Sequence, residues 1–221
     1  MPGAPTAAER PVRPDEIDDF ATLYGGNCAG CHGTEARPGA AVPLHDPVYL
    51  AIVDDAVLRR TITAGVPGTA MPAFAQSAGG TLTDAQIDII VRQMRAKWAR
   101  ADALAGVAPP PYAGGGGDAA RGMQVYAVFC SGCHGTDGSG GAHAGSIVDG
   151  SYLALVSDQA LRTAVLVGRP ALGAPDWRNN IPGHPMSSQE IDDVVAWMAA
   201  HRPSFPGQPY SRVQLMEPRH D

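Results

Sequence analysis

The sequence predicts an all-α fold made of two similar domains with long loops. Three observations predict it. The chain is written twice: "PVYLAIVDDAVLRRTITAG" (47–65) aligns with "GSYLALVSDQALRTAVLVG" (150–168) at an offset of 103, and "LTDAQIDIIVRQM" (82–94) aligns with "MSSQEIDDVVAWM" (186–198) at an offset of 104. Apolar residues recur at helical spacing, and no alternating strand pattern competes with them. Finally, the 221 residues include 27 glycines and 20 prolines, so much of the remainder is loop.

Length allows two small domains. Apolar residues make up 44% of the chain but aromatics only 6%, so two small cores would be short of large packing groups. An interior filled in part by something other than side chains is the expectation. The formal charge of −6, with no basic patch, excludes nucleic acid as a partner. No apolar run is long enough for a transmembrane segment. The opening "MPGAPTAAERPVRPDE" lacks the apolar centre of a signal peptide, and the expectation is a truncated or processed start.

In chain order, "PDEIDDFATLYGGN" is expected to begin a helix after Pro14 and run to the first cysteine. "DDAVLRRTITAG" reads as a helix closed by Gly65. "TDAQIDIIVRQMRAKWA" opens with Thr83 as N-cap and Gln86 as its capping-box partner, and places Ile87, Ile90, Val91 and Met94 on one face. "GVAPPPYAGGGG" (106–117) reads as a linker, stiff and then flexible. In the second copy, Ser187 and Glu190 form the box, and Ile191, Val194, Val195 and Met198 the face. These readings give a domain over 15–100, a Pro/Gly-rich linker over 101–117, a domain over 118–202 and an extended tail over 203–221.

Each copy carries one "CxxCH": "CAGCH" (Cys28, Cys31, His32) and "CSGCH" (Cys130, Cys133, His134). This is the attachment motif of c-type haem. Two thiols one turn apart each form a thioether to a haem vinyl group, and the adjacent imidazole faces the iron. A zinc ribbon separates its CxxC pairs by about 15–20 residues, far less than the 102 between these motifs. A dithiol redox motif has no need of the histidine. Two haem c groups are therefore expected.

On these motifs each copy resembles a class I cytochrome c domain, and the pair resembles a dihaem cytochrome c. The resemblance implies that the first and last helices of each domain cross, with a glycine and an aromatic meeting an aromatic. Gly122, Tyr126 and Trp197 fit this in the second copy. In the first, Tyr24 is kept, but Phe20 stands at the glycine and Gln93 at the aromatic, as though one bulky group had changed helices.

The resemblance also implies a methionine opposite the histidine, in the loop before the last helix. Met71, in "GTAMPAF", fits the first iron. The aligned position in the second copy is Ala174, although Pro175 and Trp177 match Pro72 and Phe74. Three answers are open for the second iron. Met186, just before the last helix, is the first choice, because a residue before an N-cap tucks inwards. The others are His184 and an open or water-bound site. Pro43, whose carbonyl is to receive the proximal imidazole, has its counterpart near Ser146. Tyr49 and Tyr152 are candidates for the haem pocket walls, and Arg59 and Arg162 for haem propionates.

The expected function is electron transfer through two covalent haems, as a carrier or as a subunit of a respiratory or photosynthetic complex. A dihaem peroxidase with an accessible second iron is the alternative. The implied compartment is periplasmic or otherwise extracytoplasmic, with membrane association through a partner or a missing N-terminal anchor. The implied partners are redox proteins or a larger membrane electron-transfer complex.

Overall fold

The computed structural model describes residues 12–35 and 37–204. The expected tail over 203–221 falls almost wholly outside the described residues, as do residues 1–11 of the N-terminal stretch. Contacts divide the chain into two compact units. One comprises Met1–Pro67, Met71–Tyr112 and Thr163–Trp177; the other comprises Gly68–Ala70, Ala113–Arg162 and Arg178–Asp221. The fold is all-α, as the sequence predicts. The only ladder among the described residues is β1 (Gly33–Thr34) with β2 (Arg37–Pro38), antiparallel. No helix among the described residues is long and apolar enough to cross a membrane.

The first half supplies α1 (Phe20–Asn27), α2 (Ala29–His32), α3 (Pro47–Ile52), α4 (Asp55–Ala64) and α5 (Asp84–Trp98). The first helix starts later than its sequence suggests. Pro14–Glu16 form only a 3₁₀ turn, and Ile17 is extended. The acidic run "PDEIDD" holds two helix-start signals, and the later one wins. Asp19 accepts hydrogen bonds from the Thr22 amide (2.8 Å) and hydroxyl (2.7 Å), capping α1 there. The carbonyls of Pro14 and Ile17 instead accept from the buried Gln86 amide of α5, at 2.7 and 2.9 Å. Gln86 still completes the capping box with Thr83. The face of α5 is the expected one: Ile87, Ile90, Val91 and Met94 are buried.

The first crossing corrects one expectation. An aromatic is not missing from α5. It is Trp98, more than a turn beyond Gln93, with its ring 5.0 Å from that of Tyr24 and 5.4 Å from that of Phe20, both edge-on. Trp98 is buried and donates its indole N–H to Glu35 (2.6 Å). Because α1 begins at Phe20, no earlier turn of it has to pass the last helix, and a bulky residue fits where a glycine was expected.

The second half supplies α6 (Ala119–Phe129), α7 (Ser131–His134), α8 (Gly150–Leu155), α9 (Asp158–Val167) and α10 (Ser188–Ala200). Here α6 and α10 cross as the sequence indicates. A Cβ on Gly122 would stand 2.0 Å from the Asp193 carbonyl oxygen and 2.7 Å from Trp197 Cβ, so only glycine permits this approach. The rings of Tyr126 and Trp197 stack 4.2 Å apart. Asp193, 3% exposed, receives the Asp118 amide, the Gln189 amide and two bonds from Arg121. The Arg121 bonds are the main reason its carboxyl is pulled down to about 2.

The glycine run corrects a second expectation, that of a flexible tether. Gly115 donates to Asp192 (3.1 Å), and a Cβ on Gly117 would stand 2.0 Å from the Asp192 carbonyl oxygen. The glycines are there to lie close on α10.

An arginine closes off the short helix of each half. Arg95 on α5 donates to the carbonyls of Leu50 and Val53 at the end of α3 and pairs with Asp55. Arg202, beyond the end of α10, donates to Leu153 (2.9 Å) and Val156 (3.1 Å) at the end of α8 and pairs with Asp158 (2.9 Å). The acceptors correspond between the copies; the donors do not.

Candidate metal centres

Each CxxCH is a single tight turn on the end of a helix. The Cys28 carbonyl accepts from the amides of Cys31 (3.2 Å) and His32 (2.9 Å), and that of Cys130 from Cys133 (3.1 Å) and His134 (3.0 Å). Two thiols and an imidazole therefore leave one turn in both places. Gly33 (φ +76) and Gly135 (φ +81) end these turns in a conformation that side chains avoid, and a Cβ at either would stand 2.3 Å from a carbonyl oxygen. Tyr24 donates to the Gly33 carbonyl (2.8 Å) and Tyr126 to that of Gly135, tying α1 and α6 to the turns.

The imidazoles are held alike. Nδ1 of His32 lies 2.7 Å from the Val42 carbonyl oxygen, and Nδ1 of His134 lies 2.8 Å from that of Gly145. A carbonyl only accepts, so Nδ1 carries the proton and Nε2 is left with its lone pair for a metal. Burial pushes the His32 pKa down, against the smaller opposite effect of this bond, and favours the neutral ring a metal requires.

The acceptors move the assignment of Pro43 back by one residue, to Val42, while Gly145 lies next to Ser146, where the counterpart was expected. The Pro43 carbonyl is taken by the Asp46 amide (3.1 Å), which turns the chain into α3. The Ser146 hydroxyl donates to the Gly138 carbonyl (3.2 Å). A proline restricts the residue before it to extended conformations, so Pro43 helps to present the Val42 carbonyl rather than its own.

No disulfide joins the four cysteines. Burial pushes Cys28 and Cys130 up to about 11, with the neighbouring cysteine adding to it. A dithiol redox centre works through a depressed thiol, so that chemistry does not fit. Among the described residues no cluster of three or more His, Cys, Asp or Glu side chains forms an ordinary ion site. Paired thiols beside an imidazole with a fixed tautomer are instead the donor set of a covalently held haem c.

The loops that follow α4 and α9 share their first closing bond and differ by one residue in the acceptor of the second. Val66 donates to the Met71 carbonyl (3.0 Å) and Arg169 to that of Ala174 (2.9 Å). Phe74 donates to Ile62 (3.0 Å) and Trp177 to Leu166 (3.4 Å). Ala174 thus occupies the backbone position of Met71 without its thioether. Met186 is 2% exposed, and its Sδ lies 3.7 Å from the Asn180 side-chain nitrogen. The His184 side chain is 59% exposed and faces Glu190 at 3.3 Å.

The remaining candidates divide. Arg59 pairs with Asp84 (3.7 Å) and Asp88 on α5. Arg162, fully buried, pairs with Asp192 (2.6 Å) and Ser188 (2.9 Å) on α10. Both were expected at haem propionates; the structure makes them matching clamps on the last helices, whose carboxylates already neutralise them. Tyr49 is buried and hydrogen-bonded to Tyr112, and burial raises its pKa strongly. Tyr152, its aligned partner, is 37% exposed. Sequence reasoning missed Trp98 and Asn180. A tryptophan just past the expected position was a readable signal; a loop asparagine gave none.

Residues 15–94 match the family described as cytochrome c oxidase, cbb3-type, subunit III, and residues 119–202 match the cytochrome c family. The chain is 25% identical over 183 residues to the cytochrome bc1 complex cytochrome c subunit of Mycobacterium tuberculosis and of Mycobacterium bovis, covering 80% of this chain and 60% of theirs. It is 29% identical over 170 residues to the cbb3-type cytochrome c oxidase subunit FixP of a Bradyrhizobium species, covering 72% of this chain and 54% of that one. A solved chain of the Kuenenia stuttgartiensis reducing HAO-like protein complex Kustc0457/Kustc0458 is similar at 16% identity and a TM-score of 0.43, over 88% of this chain and 100% of that chain. Twin CxxCH turns, each with a tethered histidine, and the two family matches agree: this chain consists of two cytochrome c-type domains in tandem, with two haem c groups as their cofactors.

Proposed function

We propose that the chain moves single electrons through its two haems, as the cytochrome c part of a respiratory electron-transfer complex or as a carrier serving one, in an extracytoplasmic compartment. The domains of this reading are 15–100 and 118–202. Cys28 and Cys31 hold the first haem and His32 and Met71 its iron. Cys130 and Cys133 hold the second, with His134 and Met186 at the iron. Haem bound this way supplies a one-electron couple, and methionine ligation raises its potential. The chain's own part is to fix the imidazole tautomer through Val42 and Gly145. The names of the relatives, subunits of a bc1 complex and of a cbb3-type oxidase, support the respiratory setting.

The observation that carries this reading is the pair of carbonyl-tethered imidazoles beside paired thiols. An accessible second iron, which the peroxidase alternative needs, finds no support where Met186 is buried beside that site's last helix. The test is a redox titration of the haem-loaded chain under carbon monoxide. Two one-electron steps, with both ferrous haems closed to the gas at neutral pH, are expected. Rapid binding at one haem would overturn the carrier reading in favour of peroxide chemistry.

A further inference from the structure

The second unit reaches its buried methionine by a route that the first does not use. Leu82, aligned with Met186, is pinned through its backbone: its amide donates to Phe74 (2.8 Å) and its carbonyl accepts from Gln76 (2.9 Å). Around Met186 a side chain takes part. The His184 amide donates to the Ile181 carbonyl (3.0 Å), and this turn folds the loop back on itself. Asn180 thereby meets Met186, six residues later, with its Nδ2 at 3.7 Å from Sδ. On the other side, Ser187 is locked by its capping box, its amide 2.7 Å from Glu190. The backbone next to Met186 is thus fixed from the helix, while the thioether end is held by Asn180.

We infer that Asn180 is the positioning residue for the sixth ligand of the second iron, an inference that rests on the reading of Met186 as that ligand. A methionine side chain has three rotatable bonds, so a buried thioether has to be held if it is to stay at one metal position. The sulfur has lone pairs that accept only weakly, and the amide NH₂ is a donor. A bond from Asn180 to one lone pair restricts rotation about the Cγ–Sδ bond and leaves another lone pair for iron. The amide orientation follows from the contact, because only its nitrogen end donates. Partners that orient a metal ligand typically contribute 10–100-fold to the metal bond.

The test uses the haem-loaded chain and imidazole as the competing ligand for ferric iron. Asn180→Leu should raise imidazole affinity at the second haem by about tenfold and leave the first haem unchanged, while Asn180→Gln, which keeps a donor, should recover part of the wild-type resistance. Asn180→Asp keeps the shape but only accepts at neutral pH. It should behave as Leu does, and it serves in place of Leu should that variant fail to fold. Wild-type imidazole affinity in both Leu and Asp variants, with Met186→Leu alone opening the second haem, would overturn the role of Asn180 and leave the ligand reading intact. A second haem that stays closed in Met186→Leu would overturn the ligand reading and this inference with it.

Discussion

Replacing Gly122 by alanine tests the helix crossing on which the second domain is built. The new Cβ would lie 2.0 Å from the Asp193 carbonyl oxygen, 2.7 Å from its carbonyl carbon and 2.7 Å from Trp197 Cβ. Two of these atoms are backbone and the third is fixed by the Trp197 ring, so α6 and α10 must separate. Overpacking of this kind costs about 1–3 kcal/mol. Separation also weakens the stack of Tyr126 on Trp197, worth roughly 0.5–1.5 kcal/mol. Against this, alanine is better than glycine in a helix by about 1 kcal/mol. The net loss is on the order of 2 kcal/mol, which in a domain of this size lowers the melting temperature by roughly 8–16 °C. Gly25→Ala isolates the compensating effect, since a Cβ there meets nothing within 4 Å. It should leave stability unchanged or raise it by up to about 1 kcal/mol. Calorimetry of the haem-loaded variants reads both. If Gly122→Ala is as stable as Gly25→Ala, the helices do not pass at this distance and the account of the crossing fails.

Cys130→Ala combined with Cys133→Ala should halve the haem-to-protein ratio in the pyridine haemochrome assay, and an unchanged ratio would refute covalent attachment at the second turn. Met71→Ala should open the first haem to carbon monoxide and lower its potential, because thioether ligation holds it up; an unaltered potential would reduce Met71 to packing. Asp193 is pulled down to about 2 when folded from about 3.9 when unfolded. Its contribution is full above pH ~4 and disappears as the pH falls through about 2, because the unfolded chain takes up the proton first. Urea titrations of wild type and Asp193→Asn should therefore differ most above pH ~4 and converge in strong acid, and a gap independent of pH would show that the carboxylate charge is irrelevant.

What was legible in the sequence was whatever depends on a short period or a fixed spacing. The capping boxes at Thr83 and Ser187, the buried faces of α5 and α10 and the two CxxCH turns follow from side-chain chemistry within one or two turns of helix. The start of α1 was not legible, because Pro14, Asp15 and Glu16 carry the same signals as the true cap, and the choice rests with Gln86, far away in the chain. Arg59 and Arg162 were misplaced for a related reason: a recurring arginine reveals that something repeats, but its partners lie on the last helix. Pro43 was close because a proline marks the right peptide, yet the carbonyl that matters belongs to its neighbour. Asn180 was out of reach, since nothing in "RNNIPGHPM" says which way a loop turns back.

The arginines that close α3 and α8 bear on where each half can be cut. In the first half, Arg95 lies within the last helix, so a fragment ending at Trp98 keeps every contact that closes α3. In the second, the same carbonyls are served by Arg202, which lies after α10 has ended at Ala200. A fragment trimmed to the visible end of that helix would retain its capping box and its whole buried face and still strip the donors from Leu153 and Val156. Two modules of similar sequence thus have different minimal lengths, and an excision planned on one by analogy with the other would stop two residues short.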